Sequence, residues 1–583
     1  MASGKNKKSR NYRLWLAWGL LLVVDLTFRG PLWLLHNLSG LRFLANYVMS
    51  AVALLGLLYM LTFIKRKVLF WFLYVVLLLI PVFLQGNYFM VYKKFISPSE
   101  FAIFFDSTRM ALQTGAANIS LLPSFFLLVF VVIAGMVLYR SQPRRKWGIL
   151  PAFLVYAGFS VFLTLHWYGV DFFQQSTVAF YNNLALKIVS GNEQTLRAHR
   201  AGVTPVIPKK RLPNLVFVVG ESQVLSHMSL YGYQRKTTPL LDSLYGKHKI
   251  VPFQKAVSIG NKTRLSVPYM LVGLEGPDPQ GAFFSYPSLF DYAAAAGYHT
   301  LFLSAQDMHW GKIGTLFDDK SLDVLEDGNY FSSHVDVHKG VDDLVMLKHV
   351  FRFLKQYGSP FMLVLQMDGS HYPYNAHSPD SLKIFLPETS PNCTNAYDNT
   401  LIVTDIYLTR LYRFLNNRFP GTFMFFTPDH GQNFGGLNGR FNDNFTPDVF
   451  HNALIAFPPE GDSVAYNVLM KKEKRLVSQA DIFSTMLQLM EMSPQYKVDG
   501  VSLLDTGYRR RVITCSEYMP TFHNNPLTVV ADSVLQTRLI DFSRHSVTDS
   551  RTGKVYPYRK LPLWIRRTLD ERLSRSEAVK NVQ

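Results

Sequence analysis

The chain has 583 residues, of which 48% are hydrophobic and only 17% are charged. This charged fraction is below the roughly 25% that is typical of soluble domains, so part of the chain is expected to lie in a bilayer. The formal net charge is +19. Much of it lies in short basic clusters beside apolar runs, and no nucleic-acid-binding motif is found, so we expect a membrane protein with no nucleic-acid partner. The two cysteines, Cys393 and Cys515, exclude a disulfide framework but allow one disulfide.

Five apolar segments in the N-terminal part are each close to the roughly 20 residues that span a bilayer. They are residues 14–28, 43–64, 68–84, 122–139 and 148–167. A cleaved signal peptide is the alternative for the first segment, but no small-residue cleavage site follows it and further apolar segments do. The sequence therefore predicts an α-helical membrane domain of about five spans.

The basic clusters assign the topology of these spans. They lie at residues 5–13, 65–67 and 140–146, and five spans place all of them on one side, as the positive-inside rule requires. The chain beyond residue 167 is then outside the cytoplasm. Asp25 lies within the first segment, where it pairs with a neighbouring helix, marks a site or sits near the membrane interface. We favour the interface.

Beyond a Pro-rich and basic linker, apolar runs typical of strands alternate with helical segments. The predicted strands are residues 215–219, 301–303, 361–366, 423–427 and 454–457, and the predicted helices are residues 288–296, 340–356, 400–417 and 480–490. This alternation predicts a doubly wound α/β domain with a mostly parallel sheet.

Three of these strands end in residues that suit a metal ion. Glu221 follows the first strand, His371 follows residues 361–366, and the adjacent Asp429 and His430 follow residues 423–427. Ligands bind at the carboxyl edge of such a sheet, and carboxylates with imidazoles suit zinc or manganese. The alternative for Glu221 alone is an acidic residue in a solvated loop. Three such strand ends in one domain favour the metal site.

A candidate nucleophile lies in the polar segment 260–268, which enters a predicted helix. The hydroxyl of Thr263 would have a lowered pKa if it touched a metal, and it could then attack phosphorus. Amides at the helix start would help to hold a phosphate. The alternative is that Thr263 is only the N-cap of the helix.

Several motifs, taken in order, resemble those of the bacterial phosphoethanolamine transferases. These are inner-membrane enzymes with five N-terminal spans and an alkaline-phosphatase/sulfatase-like catalytic domain. The matching blocks are residues 220–222 with 228–239, Thr263 with 266–268, 369–371 with Pro373, 395–400 and 429–431. The resemblance covers nearly the whole chain.

The resemblance implies a role for each matching residue. Glu221, Thr263, Asp429 and His430 would bind the catalytic metal, usually zinc with manganese as the alternative. Thr263 would also be the nucleophile and carry a phosphoethanolamine intermediate. The further residues implied in substrate binding are His371, which would contact the donor phosphate or a second metal, His451 and Lys312.

The resemblance also implies where the parts of the chain lie. We expect a multi-pass protein of the bacterial inner membrane that takes phosphoethanolamine from phosphatidylethanolamine and passes it to a lipopolysaccharide or periplasmic glycan. The predicted parts are a transmembrane domain at 1–168, a linker and connecting helix at 169–212, a periplasmic catalytic domain at 213–548 and a basic tail at 549–583. The tail either lies on the anionic membrane surface or packs on the catalytic domain as a final helix.

Some positions depart from the family pattern. The lipid A-modifying branch flanks the nucleophile segment with a disulfide, whereas the matching positions here are Ile259 and Tyr269. Ser222 stands where threonine is usual and Gln432 where glutamate is usual, and residues 437–440 lack a histidine that is common there. These departures leave the acceptor open between lipid A, the lipopolysaccharide core and periplasmic glucans.

Four other functions are compatible with parts of the pattern. A phosphoglycerol transferase or a phosphodiesterase would use the same site. A sulfatase of the modified-cysteine type needs a Cys-x-Pro-x-Arg motif, which neither Cys393 nor Cys515 has. An inactive membrane scaffold would fit if Thr263 and the metal ligands were not assembled.

Overall fold

A computed structural model describes most of the chain and divides it into two compact units. The described residues are 12–575 apart from 32–33, 35–40, 107, 109–110, 113–114, 117–118, 142–147, 168–173, 190–199, 280, 310–312, 318–319, 336–337, 436–439, 442–445, 511, 517–526, 533, 543–544, 551 and 553. The first unit comprises Met1–Gln194 and Gly435–Arg440, and the second comprises Thr195–Phe434 and Phe441–Gln583.

Helices, most of them apolar, make up most of the described first unit. In chain order they are α1 (Tyr12–Arg29), α2 (Leu41–Leu61), α3 (Lys67–Tyr92, with a π-helical turn at Val75–Leu79), α4 (Pro98–Asp106), α5 (Leu121–Tyr139), α6 (Ile149–Trp167) and α7 (Ser176–Val189). Each of the five predicted spans is therefore a helix. Among the described residues, α3, α5 and the Leu44–Leu61 part of α2 are long and apolar enough to cross a membrane, and Ile149–Thr164 is a shorter apolar helix. Three candidate spans are thus supported, and the count of five stays a prediction.

Asp25 is fully buried among protein atoms, and its favoured position near the membrane interface stays a prediction. Its Oδ2 lies 2.9 Å from Nη2 of Arg29, one helical turn further along α1. The hydroxyl of Tyr47 donates to the same oxygen at 3.0 Å, and the backbone N–H of Ser176 donates to Oδ1 at 2.8 Å. A buried carboxylate is tolerated when its charge and its lone pairs are satisfied in this way. The observed contacts match the alternative in which Asp25 pairs with neighbouring helices.

The second unit contains the predicted α/β domain. The described strands in chain order are β1 (Leu215–Gly220), β2 (Val251–Pro252), β3 (Lys255–Val257), β4 (His299–Ser304), β5 (Val324–Glu326), β6 (Phe361–Gln366), β7 (Phe423–Pro428), β8 (Asn433–Phe434), β9 (Arg440–Phe441), β10 (His451–Asn452), β11 (Ile455–Phe457), β12 (Leu476–Ser478), β13 (Val512–Ser516), β14 (Leu527–Asp532), β15 (Thr537–Asp541), β16 (Ser546–Asp549) and β17 (Val555–Pro557). The main sheet has seven strands in the order β2-β11-β7-β1-β6-β4-β5.

Five neighbouring strands of this sheet, β7, β1, β6, β4 and β5, run parallel, and β11 pairs antiparallel with β7. Every residue of β1, β6 and β7 is buried, which explains their unbroken apolar runs. The prediction of a mostly parallel sheet is confirmed. Because the three central strands end in register at one edge, the residues that follow them lie close together.

The second unit also contains helices. They are α8 (Pro239–Gly246), α9 (Thr263–Met270), α10 (Leu289–Ala295), α11 (Gly328–Phe331), α12 (Asp343–Gln356), α13 (Thr394–Arg418), α14 (Pro447–Phe450), α15 (Ser463–Met470), α16 (Ala480–Leu489) and α17 (Leu563–Leu573). Helix α13 begins six residues before the predicted residue 400, because Cys393 caps it. The Cys393 sulfur accepts a hydrogen bond from the N–H of Ala396 at 3.5 Å.

The C-terminal part forms a five-stranded antiparallel meander, β13 to β17, which was not predicted. The predicted start of a tail at residue 549 falls inside it, at the end of β16. Helix α17 then packs its buried Ile565 and Leu569 against Val530, Ile540 and Val547 of the meander. Packing of α17 on the catalytic unit was one of the two alternatives for this segment.

Candidate active site

Glu221 leaves the sheet at the end of β1 and is almost completely buried. Its neighbour Ser222 has a positive φ of 56°, and the Ser222 hydroxyl donates to Glu221 Oε1 at 2.6 Å. The turn after β6 packs directly on Glu221, since a Cβ on Gly369 would lie 2.8 Å from the Glu221 backbone nitrogen. The Ser370 N–H donates to the Glu221 carbonyl at 2.9 Å. The turns that follow β1 and β6 thus fix the backbone position of Glu221.

Asp429 and His430 reach the same point from β7. Pro428 is in register with Gly220 of β1, so the residues that follow the two parallel strands are neighbours. The Ser222 N–H donates to Asp429 Oδ1 at 3.0 Å, which links the two strand ends. His430 Nδ1 lies 2.7 Å from the Gly431 carbonyl and therefore donates to it, so that Nε2 faces the site.

Thr263 is the first residue of α9 and lies beside these side chains. Its Oγ1 is 3.1 Å from Glu221 Oε2 and 3.4 Å from His430 Nε2. The N-cap of α9 is Lys262, so the alternative that Thr263 serves only as the N-cap is wrong. The N–H of Ile259 donates to the side-chain oxygen of Gln479 at 2.9 Å, which fixes the start of the loop that carries Thr263.

Glu221, Asp429 and His430 form a buried group of potential metal ligands, since one ligand atom from each lies within 4.8 Å of the others. Burial and the neighbouring Asp429 carboxylate raise the pKa of Glu221 to about 8. Burial alone would lower the pKa of His430, but the adjacent Asp429 raises it to about 9. Burial raises the pKa of Asp429, but the His430 charge and hydrogen bonds from His430, Thr263 and Ser222 together hold it below its usual value. The proton on His430 thus balances Asp429, and Glu221 has no cation of its own.

These residues fit a divalent metal ion. Two buried carboxylates, an imidazole Nε2 and a hydroxyl converge, and their oxygen and nitrogen atoms are the donors that zinc and manganese accept. A metal ion would supply the charge that Glu221 lacks and would replace the proton on His430. Gln306 and Ser222 would act as outer-shell partners that orient Glu221.

His371 lies near this group but is not part of it. Its Nδ1 is 2.7 Å from the Tyr372 carbonyl, so the ring is held with Nε2 available as an acceptor. Burial and the neighbouring His377 lower the pKa of His371 to about 4, so the imidazole is neutral at pH 7. Its role in substrate binding stays a prediction.

The other two residues predicted to bind substrate are His451 and Lys312. His451 lies in β10, and its Nε2 is 3.1 Å from the Gln254 carbonyl. No contact with Thr263 or the metal group is described for it, and its role also stays a prediction. Lys312 lies outside the described residues.

The two cysteines are not paired with each other. Cys393 caps α13 and Cys515 is buried in β13. The positions that the lipid A-modifying branch joins by a disulfide are held here by packing, since Ile259 and Tyr269 are both almost fully buried. The Tyr269 hydroxyl also donates to Asp278 Oδ2 at 3.1 Å.

Two glutamines at the site were not predicted. Gln306 follows β4, and its amide donates to Glu221 Oε2 at 3.0 Å and to the Met367 carbonyl at 2.9 Å. Gln479 donates to the carbonyls of Pro428 and Asp429 at 2.6 and 3.0 Å. Gln306 could have been predicted as a site residue, because it lies just beyond the end of a parallel strand. Gln479 precedes α16, and its contacts arise only from the tertiary fold.

A second group of carboxylates and imidazole lies in the loops after β4 and β5. It comprises Asp307, His309 and Asp327. Asp307 Oδ1 accepts a hydrogen bond from the His309 N–H, and Asp327 Oδ2 accepts one from the Met308 N–H. Asp327 is also the N-cap of α11. Turn formation and capping account for these carboxylates, and we do not assign a metal to them.

The chain is similar to proteins of known family. Residues 213–492 match the sulfatase family. The chain is 31% identical over 218 residues to the putative transferase YhbX of Escherichia coli K12, covering 37% of each protein. It is 27% identical over 305 residues to Kdo(2)-lipid A phosphoethanolamine 7''-transferase of Salmonella typhimurium, covering 50% of each. The matched part is thus less than two thirds of the length of either relative.

A solved structure extends the similarity in fold to most of the chain. The integral membrane protein lipooligosaccharide phosphoethanolamine transferase A of Neisseria meningitidis has a TM-score of 0.59 and 19% sequence identity, over 82% of this chain and 95% of that one. The combination of N-terminal helices with a C-terminal α/β domain is therefore shared. The match of residues 213–492 to the sulfatase family and the similarity to a phosphoethanolamine transferase confirm the resemblance that the sequence motifs indicate.

Proposed function

We propose that the protein transfers phosphoethanolamine from phosphatidylethanolamine to a glycan or lipopolysaccharide of the cell envelope through a covalent phospho-Thr263. One observation carries this proposal: the Thr263 hydroxyl lies 3.1 Å from Glu221 and 3.4 Å from His430, inside the metal-binding group. A hydroxyl held by a carboxylate and an imidazole has the partners that nucleophilic catalysis needs. An inactive membrane scaffold would not require a hydroxyl beside potential metal ligands.

In the first step, Thr263 Oγ1 attacks the phosphorus of the donor. The Thr263 oxygen–phosphorus bond forms as the bond between phosphorus and the glycerol oxygen breaks, and diacylglycerol leaves with a proton. Thr263 is the first residue of α9, so the positive end of this helix favours the phosphoryl oxygens.

In the second step, an acceptor hydroxyl or phosphate oxygen attacks the same phosphorus and releases Thr263. The acceptor proton passes to the released Thr263 oxygen, and His371, which is neutral at pH 7 with an available Nε2, can accept a hydrogen bond from the acceptor hydroxyl. Transfer to water instead of the acceptor would make the protein a phosphodiesterase, which uses the same residues.

The proposed metal is zinc, with manganese as the alternative. Glu221, Asp429, His430 and Thr263 would hold it. When bound, it lowers the pKa of the hydroxyl and stabilises charge on the phosphoryl oxygens. The carboxylates and Gln306 keep the Thr263 oxygen and the metal ligands in fixed positions.

We place the protein in the bacterial inner membrane, as a multi-pass protein with its catalytic domain in the periplasm. The basic clusters at the N-terminus and at residues 65–67 and 140–146 support this orientation. It gives the domain access to phosphatidylethanolamine in the same membrane. A relative named for a lipid A substrate supports an acceptor of the lipopolysaccharide class.

The direct test uses the full chain in lipid nanodiscs that contain phosphatidylethanolamine labelled in its ethanolamine group. We expect diacylglycerol to form and the label to move to a lipopolysaccharide or glycan fraction from the cell envelope. Label released only as free phosphoethanolamine would identify a hydrolase. Transfer only from labelled phosphatidylglycerol would identify a phosphoglycerol transferase.

A further inference from the structure

The start of α17 presents an exposed surface that combines basic and apolar side chains. Leu563 and Trp564 are 53% and 39% exposed, although both are large hydrophobic residues. Arg559 and Lys560 precede them in a 3-10 turn, and Arg567 follows one helical turn later; all three are exposed. Residues three or four apart share a helix face, so Arg567 lies beside both apolar side chains. We call these five residues the α17 face.

The opposite side of α17 is fixed firmly to the domain. Ile565 and Leu569 are fully buried against the meander. Further along the helix, the Arg572 guanidinium donates to Glu275 Oε2 and to Asp499 Oδ1, each at 2.9 Å. The α17 face is therefore held rigidly on the surface of the catalytic unit.

The charge of residues 550–569 has one sign. They contain Arg551, Lys554, Arg559, Lys560, Arg566 and Arg567 and no aspartate or glutamate, and the exposed acids Asp570 and Glu571 follow one helical turn after Arg567. Within the described part of the chain, Arg559, Lys560 and Arg567 make no salt bridge. An exposed tryptophan and leucine among unpaired cations match the composition of surfaces that bind at a lipid headgroup layer.

We infer that the α17 face docks on the surface of a bilayer that contains anionic phospholipid. The charge complementarity supports this occupant over another copy of the chain, whose net charge is also strongly positive. A bilayer is always within reach of the domain, because the same chain carries helices that are long and apolar enough to cross one. The inference concerns how the domain is held and does not depend on the reaction that it catalyses.

The test measures whether Trp564 contacts lipid in the full chain. The protein is placed in nanodiscs whose phospholipids are brominated near the headgroup end of one acyl chain, since bromine quenches nearby tryptophan. The signal of Trp564 is the wild-type fluorescence minus that of Trp564→Phe. We expect it to lose about half of its intensity in brominated discs with anionic lipid and much less in purely zwitterionic discs.

Charge-reversal variants separate docking from mere proximity. The triple variant Arg559→Glu, Lys560→Glu, Arg567→Glu should abolish the quenching. The matched variant Lys471→Glu, Lys474→Glu, Arg475→Glu reverses three exposed charges elsewhere on the domain and should leave it unchanged. Quenching of Trp564 by aqueous acrylamide but not by brominated lipid would overturn the inference. Protection from both quenchers would also overturn it, because protein would then cover the face.

Discussion

Two buried clusters of charge in the catalytic unit differ in how their carboxylates are neutralised. At the edge of the sheet, Glu221 and Asp429 share one imidazole, that of His430. Beneath α17, the carboxylates of Glu275, Asp481 and Asp499 meet the guanidinium groups of Arg510, Arg572 and Arg575. The first cluster has one imidazole for two carboxylates, whereas the second contains as many arginines as acids.

This difference distinguishes a functional site from a cluster that stabilises the fold. A buried charge is costly unless it is paired, so the arginine cluster is complete as it stands and joins α17 to the core of the domain. The Glu221 cluster is complete only when a proton or a metal ion neutralises it. Its nearby hydroxyl, Thr263, then lies where a reaction can use that charge.

The largest effect is expected when a ligand of the first cluster is removed. Glu221→Gln should reduce transfer to background and weaken metal binding by more than the 10–100-fold that is typical for loss of an outer-shell partner. Metal analysis of the purified chain measures this directly. The matched variant Asp499→Asn removes a carboxylate of the arginine cluster. Loss of metal from folded Asp499→Asn, or its retention in Glu221→Gln, would remove the distinction between the clusters.

Breaking the second cluster should destabilise the protein without altering the chemistry. Arg510 donates to Asp481 Oδ1 at 2.8 Å and to the Asp499 carbonyl at 2.7 Å. Arg510→Met should cost about 3–5 kcal/mol of unfolding free energy, because it leaves buried carboxylates unpaired. Denaturant unfolding of the solubilised chain gives this value, with the exposed Arg475→Met as the control. A change below about 1 kcal/mol would show that these arginines are not needed as counterions.

A smaller effect is expected at the outer shell of the first cluster. Gln306→Leu removes the amide that donates to Glu221 Oε2. Metal affinity should fall about 10–100-fold while the protein remains folded. Isothermal titration with zinc measures the change, and Gln488→Ala, on the exposed side of α16, is the control. Equal affinities in wild type and Gln306→Leu would mean that β1 and β7 alone position Glu221.

A further effect is expected in the pH dependence of stability of the chelated protein. The folded-state pKa of Glu221 is raised from 4.5 to about 8, so the folded protein holds a proton that the unfolded chain releases. The stabilisation from this group is complete below pH 4.5 and is lost as the pH rises through 8. The melting temperature of wild type should therefore fall relative to that of Glu221→Gln between about pH 5 and pH 8. A difference in melting temperature that does not change with pH would show that the charge of Glu221 is already neutralised without metal.

The sequence predicts the parallel part of the fold well. The strands β1, β6 and β7 are buried on both faces, so their apolar runs are continuous and end sharply at Glu221, His371 and Asp429. Parallel strands end at one edge, and this rule alone brings Glu221 and Asp429 together. The conformation of Thr263 was left open because N-caps and first helical residues have similar compositions.

The features that were not predicted depend on contacts between distant residues. In the meander, β15, β16 and β17 are partly exposed and have weaker apolar runs than β1. Gln479 contacts the Asp429 loop although it is 50 residues away in sequence. The partners of Asp25 were not identified because Tyr47 and Ser176, which satisfy it, lie on other helices. Such pairings cannot be read from local sequence patterns.

The intact mass of the purified full chain tests the central claim most directly. Wild-type protein from cells that make phosphatidylethanolamine should carry a phosphoethanolamine adduct that peptide mapping places on Thr263. Thr263→Ala should lack the adduct but still bind metal, and Ser266→Ala, which removes a hydroxyl from the same helix, should retain it. An adduct that persists in Thr263→Ala, or that maps to another residue, would contradict the account.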